Sequence, residues 1–305
     1  MAALNGRDFL SVNDLSGQEL SDILAIAARM KAGERSRVLD GKSVALLFEH
    51  PSLRTRLTFD LGVQQLGGHA VYLAPSEVNL GEREAVPDVA HNLERWVQGV
   101  VARVRYHSSL AELAAAASVP IVNAMSDREH PCQALADLQT LRERLGELRG
   151  AVLLYCGDGN NVCHSLLLAG AKVGMSVWVA SPSAFQPLPE MVSMARREAE
   201  HTGASIRVER DPLALVHEAD AVYTDVWTSM GQESEKERRR RIFVPYQLNE
   251  RLLDQAKPTT VVMHCLPAHR GEEITDEVLD GPRSVVFDQA ENRLHAQKAL
   301  LSVLL

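Results

Sequence analysis

The chain has 305 residues, 46% of them apolar and 24% charged, with a formal charge of −8. A chain of that length and apolar share buries a sizeable core and divides most naturally into two domains, which excludes disorder, and an acidic balance with no Lys/Arg stripe among aromatics excludes a nucleic-acid surface. No run approaches the roughly 18 apolar residues of a membrane span, Met1 to Asp8 lack a signal-peptide pattern, and Cys132, Cys156, Cys163 and Cys265 form no C-x-x-C, so a cytoplasmic protein with reduced thiols is expected.

In chain order, Ser43 to Phe48 reads as a buried strand, and Arg54 to Leu66 as a helix with Leu57, Leu61 and Leu66 on a shared face, stopped by Gly67-Gly68. A strand at Ala70 to Leu73, a helix over Ala85 to Gln98, a strand at Val100 to Val104, a helix over Leu110 to Ala117 and a strand at Ile121-Val122 follow. The helix from Pro131 to Leu148 closes the first half near Arg149-Gly150, with Leu135, Leu138, Leu141 and Leu145 at three- and four-residue steps. The alternation then restarts. Strands are expected at Val152 to Tyr155, Val177 to Ala180, Ile206 to Val208, Ala221 to Thr224, Thr260 to Met263 and Ser284 to Phe287, with helices over Val162 to Val173, Pro189 to His201 and Glu291 toward Leu305.

Strands separated by helices pair in parallel through right-handed crossovers. The expectation is an α/β protein with two doubly wound parallel-sheet domains, residues 1–149 and 150–289, and a closing helix over 290–305 that packs back on the first. The basic run Arg238 to Arg241 follows Glu233, Glu235 and Glu237 and reads as a solvated helix face.

In such folds ligands bind outside the carboxyl ends of the strands. Five loops there are rich in functional groups. Glu49-His50-Pro51-Ser52-Leu53-Arg54-Thr55-Arg56 runs from a strand into a helix, and a helix N-terminus with hydroxyls and arginines forms a phosphate cradle; an ordinary cap at Ser52 with solvated arginines is the plainer alternative. His130-Pro131-Cys132-Gln133 opens a helix in the same half, and Arg103 follows the strand Val100 to Ala102. Gly157-Asp158-Gly159-Asn160-Asn161 superficially matches a dinucleotide fingerprint, but Val162 stands at the third glycine position, and the two asparagines suit an amino-acid head group better. Asp225 through Gly231 adds a carboxylate able to hold an ammonium. In His264-Cys265-Leu266-Pro267, the thiol is either a packing residue or a polarisable group facing a substrate.

Taken together, Ser52 to Arg56, Arg103, His130 to Gln133, Asp225 to Gly231 and His264 to Pro267 resemble, in order and spacing from about Ser43 to Lys298, the motifs of the ornithine carbamoyltransferases. The first group and His-Pro-x-Gln are shared with aspartate carbamoyltransferases. The Asp225 loop and His-Cys-Leu-Pro point to ornithine. The resemblance implies that Ser52, Leu53 through its backbone, Arg54 and Thr55 hold the phosphate of carbamoyl phosphate, and that Arg103 bridges phosphate and carbonyl oxygen. It further implies that His130, Gln133, Arg293 and the main-chain carbonyl of Leu266 meet the carbamoyl group. Asn161 is expected at the ornithine carboxylate and Asp225 at its α-ammonium, with Ser229 and Met230 completing that pocket and Cys265 near the reacting amine. An active site in the cleft between the domains, a cis Leu266-Pro267 bond and a homotrimer or multiple of trimers sharing active sites are also implied.

Two positions depart from the pattern. Leu53 stands where many relatives have threonine, and Asn79 where a longer glutamine reaches a neighbouring subunit's phosphate site. Arg103, His130 and Cys265 are the expected catalytic residues, with no metal, cofactor or covalent nucleophile required, because orienting two substrates can contribute on the order of 7 to 11 kcal/mol. A different amine acceptor, a non-catalytic relative and a nicotinamide-dependent oxidoreductase are the competing readings.

Overall fold

Every apolar run read above as a strand, except the last, is a strand in the computed structural model, which describes residues 4–78, 80–81, 83–228 and 233–305. The chain forms two compact units, Met1–Gln139 with Glu291–Leu305 and Thr140–Ala290.

In the first unit, β1 (Ser43–Phe48), β2 (His69–Leu73), β3 (Gly99–Arg103) and β4 (Ile121–Met125) form a parallel sheet of order β2-β1-β3-β4. The inner strands β1 and β3 are buried almost throughout, whereas β2 at the edge is half-exposed. Central strands of a parallel sheet are covered on both faces, so they read as continuous apolar runs rather than as alternation.

Residues after Ala290 belong to this unit. The methylenes of Lys298 lie against Gly62, its ammonium donates to Gln65 Oε1 at 2.8 Å, and Lys31 donates to Asn292 Oδ1 at 2.7 Å. A Cβ on Gly99 would sit 2.7 Å from Leu305 Cδ2, so the Leu305 side chain packs directly on the backbone at the start of β3.

The second unit holds β5 (Val152–Cys156), β6 (Ser176–Ala180), β7 (Ile206–Glu209), β8 (Ala221–Thr224) and β9 (Val261–His264), all parallel, in the order β7-β6-β5-β8-β9. Leu154, Trp178, Val222, Phe243 and Val262 lie in its main apolar cluster.

Three local expectations are corrected. Ser284 makes a single bridge to Val262, and the run Val285 to Phe287 enters a helix, Val286–Leu304; a three-residue apolar run carries no period able to separate strand from helix. In the helix Leu53–Gln65 the buried face is Thr55, Phe59, Gly62 and Val63, continued by Leu66. Leu57 and Leu61 face the other way, 47% and 42% exposed. Within the basic run, Arg239 is buried while its neighbours are exposed. Among the described residues no helix is long and apolar enough to cross a membrane.

Candidate active site

In the first sheet the chain passes outward from β1 to β2, then returns beyond β1 to β3. That reversal is a topological switch point, where the loops leaving neighbouring strands diverge and open a binding crevice. Here those are the loops after β1 and β3, and Phe48 and Arg103 stand opposite each other at the ends of the two strands.

Ser52 has extended backbone and caps the helix Leu53–Gln65, its Oγ accepting from Thr55 N at 3.3 Å and donating to Thr55 Oγ1 at 3.0 Å. The first N–H groups of a helix have no intrahelical partner and attract anions. The Leu53 side chain is 70% exposed, so only its main chain contributes to that end. Arg56 is directed away, its guanidinium 3.8 Å from the Tyr72 ring centroid.

A buried chain of contacts backs this cap. Arg293 donates to Thr55 Oγ1 at 2.7 Å and to Gln133 Oε1 at 2.6 Å, and Gln133 Nε2 donates to Asp137 Oδ1 at 2.8 Å. Arginine can only donate, so the Gln133 carbonyl must face Arg293 and its amide nitrogen Asp137. His130 is buried beside these cations; burial first, then the charges of Arg293 and Arg103, hold its pKa well below the usual range, so the ring is a neutral donor or acceptor at neutral pH. Ser52, Thr55, Arg103, His130, Gln133 and Arg293 therefore form one electropositive group with a helix N-terminus, and Arg54 sits half-buried on the first turn. Such a group suits a doubly charged oxyanion joined to a carbonyl.

The second sheet has its own switch point, between β5 and β8, and the loops leaving those strands carry the other group. Asn160 caps the helix Asn161–Val173; its Oδ1 accepts from Val162 N, Cys163 N and the Tyr155 hydroxyl, at 3.0, 3.2 and 3.2 Å. Its Nδ2 is thereby turned onto Asp225 Oδ2 at 2.7 Å. Asp225 is buried, and its other oxygen accepts from Val226 N at 2.8 Å and from the Cys265 thiol at 3.0 Å. The sulfur is thus held as a donor rather than as an attacking thiolate. A buried carboxylate with an amide and a thiol around it suits a cation, not a second acid.

Cys265 and Leu266 follow β9. His264 Nδ1 accepts from Leu266 N at 2.9 Å, so Nε2 carries the proton and donates to the fully buried Glu273 at 3.0 Å. Leu266 is held at φ 58°, the left-handed region, and precedes a cis bond to Pro267. Asp225, His264 and Cys265 bring one potential metal-ligand atom each within 4.8 Å of one another, and so do His269, Glu272 and Glu273. Coordination through His264 would sacrifice one of its two hydrogen bonds.

Gly159, read from sequence as half of a nucleotide fingerprint, has a packing cause: a Cβ there would lie 2.1 Å from Pro187 N. Asn160, expected with Asn161 to offer an amide to an amino-acid head group, spends its oxygen on capping the helix and its nitrogen on Asp225, and an Asn two residues before an apolar helical period is a cap signal. Asn161 occupies the first helical position. Asn79, Ser229 and Met230 lie outside the described residues.

Residues 7–143 match the carbamoyl-P binding domain of aspartate/ornithine carbamoyltransferase, and residues 149–304 match its Asp/Orn binding domain. The chain belongs to the aspartate/ornithine carbamoyltransferase family. It is 49% identical over 309 residues to an ornithine carbamoyltransferase of Thermococcus kodakarensis, covering 100% of this chain and 98% of that protein. It superposes on the ornithine carbamoyltransferase of Pyrococcus furiosus with a TM-score of 0.96 at 48% identity, covering 99% of this chain and 97% of that one. For the Thermus thermophilus enzyme the TM-score is 0.88 at 47% identity, with 98% of each chain covered.

Proposed function

We propose that this chain is an ornithine carbamoyltransferase, transferring the carbamoyl group of carbamoyl phosphate to the side-chain amine of L-ornithine to give citrulline and phosphate. The observation that carries the acceptor assignment is the buried carboxylate of Asp225, held by Asn160 and Cys265. It matches an α-ammonium and would repel a second acceptor carboxylate.

In this reading the first unit binds carbamoyl phosphate. Ser52, the Leu53 backbone, Arg54 and Thr55 take the phosphate, Arg103 spans phosphate and carbonyl oxygen, and His130, Gln133, Arg293 and the Leu266 carbonyl take the carbamoyl group. Asn161 meets the ornithine carboxylate, with Ser229 and Met230 completing that pocket, and Asn79 stands where a longer glutamine would reach a neighbouring subunit's phosphate. The ornithine side-chain amine titrates like lysine, so deprotonation near neutral pH costs about 4 kcal/mol. The ammonium gives up one proton to solvent on the Cys265 side of the pocket, the neutral amine attacks the carbamoyl carbon, and the second proton it then sheds leaves on the departing phosphate. Negative charge gathers on the carbonyl oxygen, where Arg103, His130 and Thr55 stabilise it as preorganised donors. The carbon–oxygen bond to phosphate then breaks, and no acyl-enzyme forms.

We place the protein in the cytoplasm, in arginine synthesis, as a homotrimer. The exposed leucines 53, 57 and 61, one turn apart on one helix, support association with further copies. The deciding experiment is a citrulline assay with carbamoyl phosphate and a panel of ornithine, N-acetylornithine, putrescine, lysine and aspartate. Ornithine should be preferred, and equal or better use of another amine would overturn the assignment.

A further inference from the structure

Arg239 is 5% exposed on a helix, Lys236–Phe243, whose other arginines face solvent. Its NH1 donates to Asp158 Oδ2 at 2.9 Å and to the Trp227 main-chain oxygen at 2.9 Å, and its Nε to Glu235 Oε2 at 3.1 Å. The guanidinium carbon lies 4.5 Å from the Phe185 ring centroid. A planar fork that stacks and donates in several directions is a task lysine cannot duplicate. Burying an arginine against a carboxylate carries a large desolvation cost, which full hydrogen bonding must offset. The position therefore asks for an explanation beyond solubility.

Its partners supply one. Asp158 lies two residues before Asn160, in the loop after β5, and Trp227 lies two residues after Asp225, in the loop after β8. These loops are already joined by Asn160 to Asp225 at 2.7 Å. Arg239 adds a second cross-link, from Asp158 to the Trp227 main chain. The loop after β5 is backed from behind as well, because Gly159 N donates to Phe185 O at 2.7 Å and Phe185 is the ring on which Arg239 stacks. Remove the guanidinium, and one of the cross-links between the two loops is lost, leaving the Asn160–Asp225 amide contact and, at the strand ends, the Thr224 hydroxyl donating to Cys156 O at 2.7 Å.

We propose that Arg239 is a positioning residue for the amino-acid substrate: it touches no reactant, and by tying Asp158 to the Trp227 main chain it sets the spacing of the groups that grip ornithine. The proposal rests on the reading of this unit as the ornithine half of the site.

The test is a kinetic split in Arg239→Gln, Arg239→Lys and Asp158→Asn, with the exposed neighbour Arg240→Gln as control. Varying ornithine at saturating carbamoyl phosphate should reveal an ornithine KM raised by about ten- to a hundredfold in Arg239→Gln, since small misplacements of gripping groups cost that much. Carbamoyl phosphate KM should stay within about twofold of wild type, and Arg239→Lys and Asp158→Asn should fall in between. Hydrogen exchange at residues 157–162 and 225–228 should quicken in Arg239→Gln and not in Arg240→Gln. Equal shifts in both KM values, or an unchanged ornithine KM in folded Arg239→Gln, would overturn the proposal. Should Arg239→Gln not fold, Arg239→Lys and Asp158→Asn decide by the same split. A wild-type enzyme that makes no citrulline from ornithine would defeat the functional reading instead, and the exchange pattern would still decide whether Arg239 couples the two loops.

Discussion

Arg293 NH1 lies 2.6 Å from Gln133 Oε1, across 160 positions of sequence, while NH2 of the same guanidinium holds Thr55 at 2.7 Å. One side chain thus joins the N-terminus of the helix Leu53–Gln65 to Gln133 on the first turn of the helix Pro131–Leu145. A lysine would keep the charge and lose the fork. Arg293→Lys is expected to lower kcat/KM for carbamoyl phosphate on the order of a hundredfold, with little change in ornithine KM. Steady-state kinetics on folded protein check this, and a loss confined to ornithine would contradict it.

Arg103 and Arg54 are assigned to the leaving phosphate. Arg103→Ala and Arg54→Ala should each reduce turnover by two to three orders of magnitude, roughly the cost of removing one preorganised donor from a developing oxyanion. Secondary structure by circular dichroism should persist. Near-normal turnover in either variant would remove that residue from the chemistry.

Cys265 donates to Asp225, and a hydroxyl can do the same. Cys265→Ser should therefore retain measurable citrulline formation, with its loss falling mainly on ornithine KM. Mass spectrometry of wild type quenched during turnover should find no carbamoylated thiol. A trapped adduct on Cys265 would replace direct attack with covalent catalysis.

Asp158 offers a stability measurement with a definite sign. Burial raises its pKa from 3.8 to about 6 against the pull of Arg239. A carboxyl with a raised folded-state pKa contributes stability that is complete below pH 3.8 and is lost as pH rises through about 6. Wild type should lose ground to Asp158→Asn between about pH 4 and 7, by up to roughly 3 kcal/mol. Urea unfolding across that range measures the gap, and a gap independent of pH, or one that moves the other way, would show that the carboxyl titrates normally.

The alternation of strands and helices was legible because buried parallel strands are short continuous apolar runs bounded by turn residues. Ser52, Arg103, His130 and Asp225 were legible because each stands at or just beyond a strand end or helix start. Arg239 was not. Its burial depends on Asp158, 81 positions earlier, and within its own segment it is indistinguishable from Arg238 and Arg240. The burial of Phe59 instead of Leu57 was hidden for a related reason: both leucine and phenylalanine positions satisfy a helical period, and only the neighbouring sheet decides which stripe turns inward. Asn160 and Asn161 are adjacent amides, separated in role only by which of them caps the helix.

The stretch 291–305 completes the first unit and supplies Arg293. During synthesis those residues leave the ribosome after both sheets have been made. A nascent chain can therefore assemble its amino-terminal half early, yet that half stays without the guanidinium that braces Thr55 and Gln133 until translation has passed through the entire second unit. Completion of the Thr55–Gln133–Arg293 contacts is a late event, and a premature stop between His264, the end of β9, and Arg293 leaves both sheets encoded and those contacts unmade.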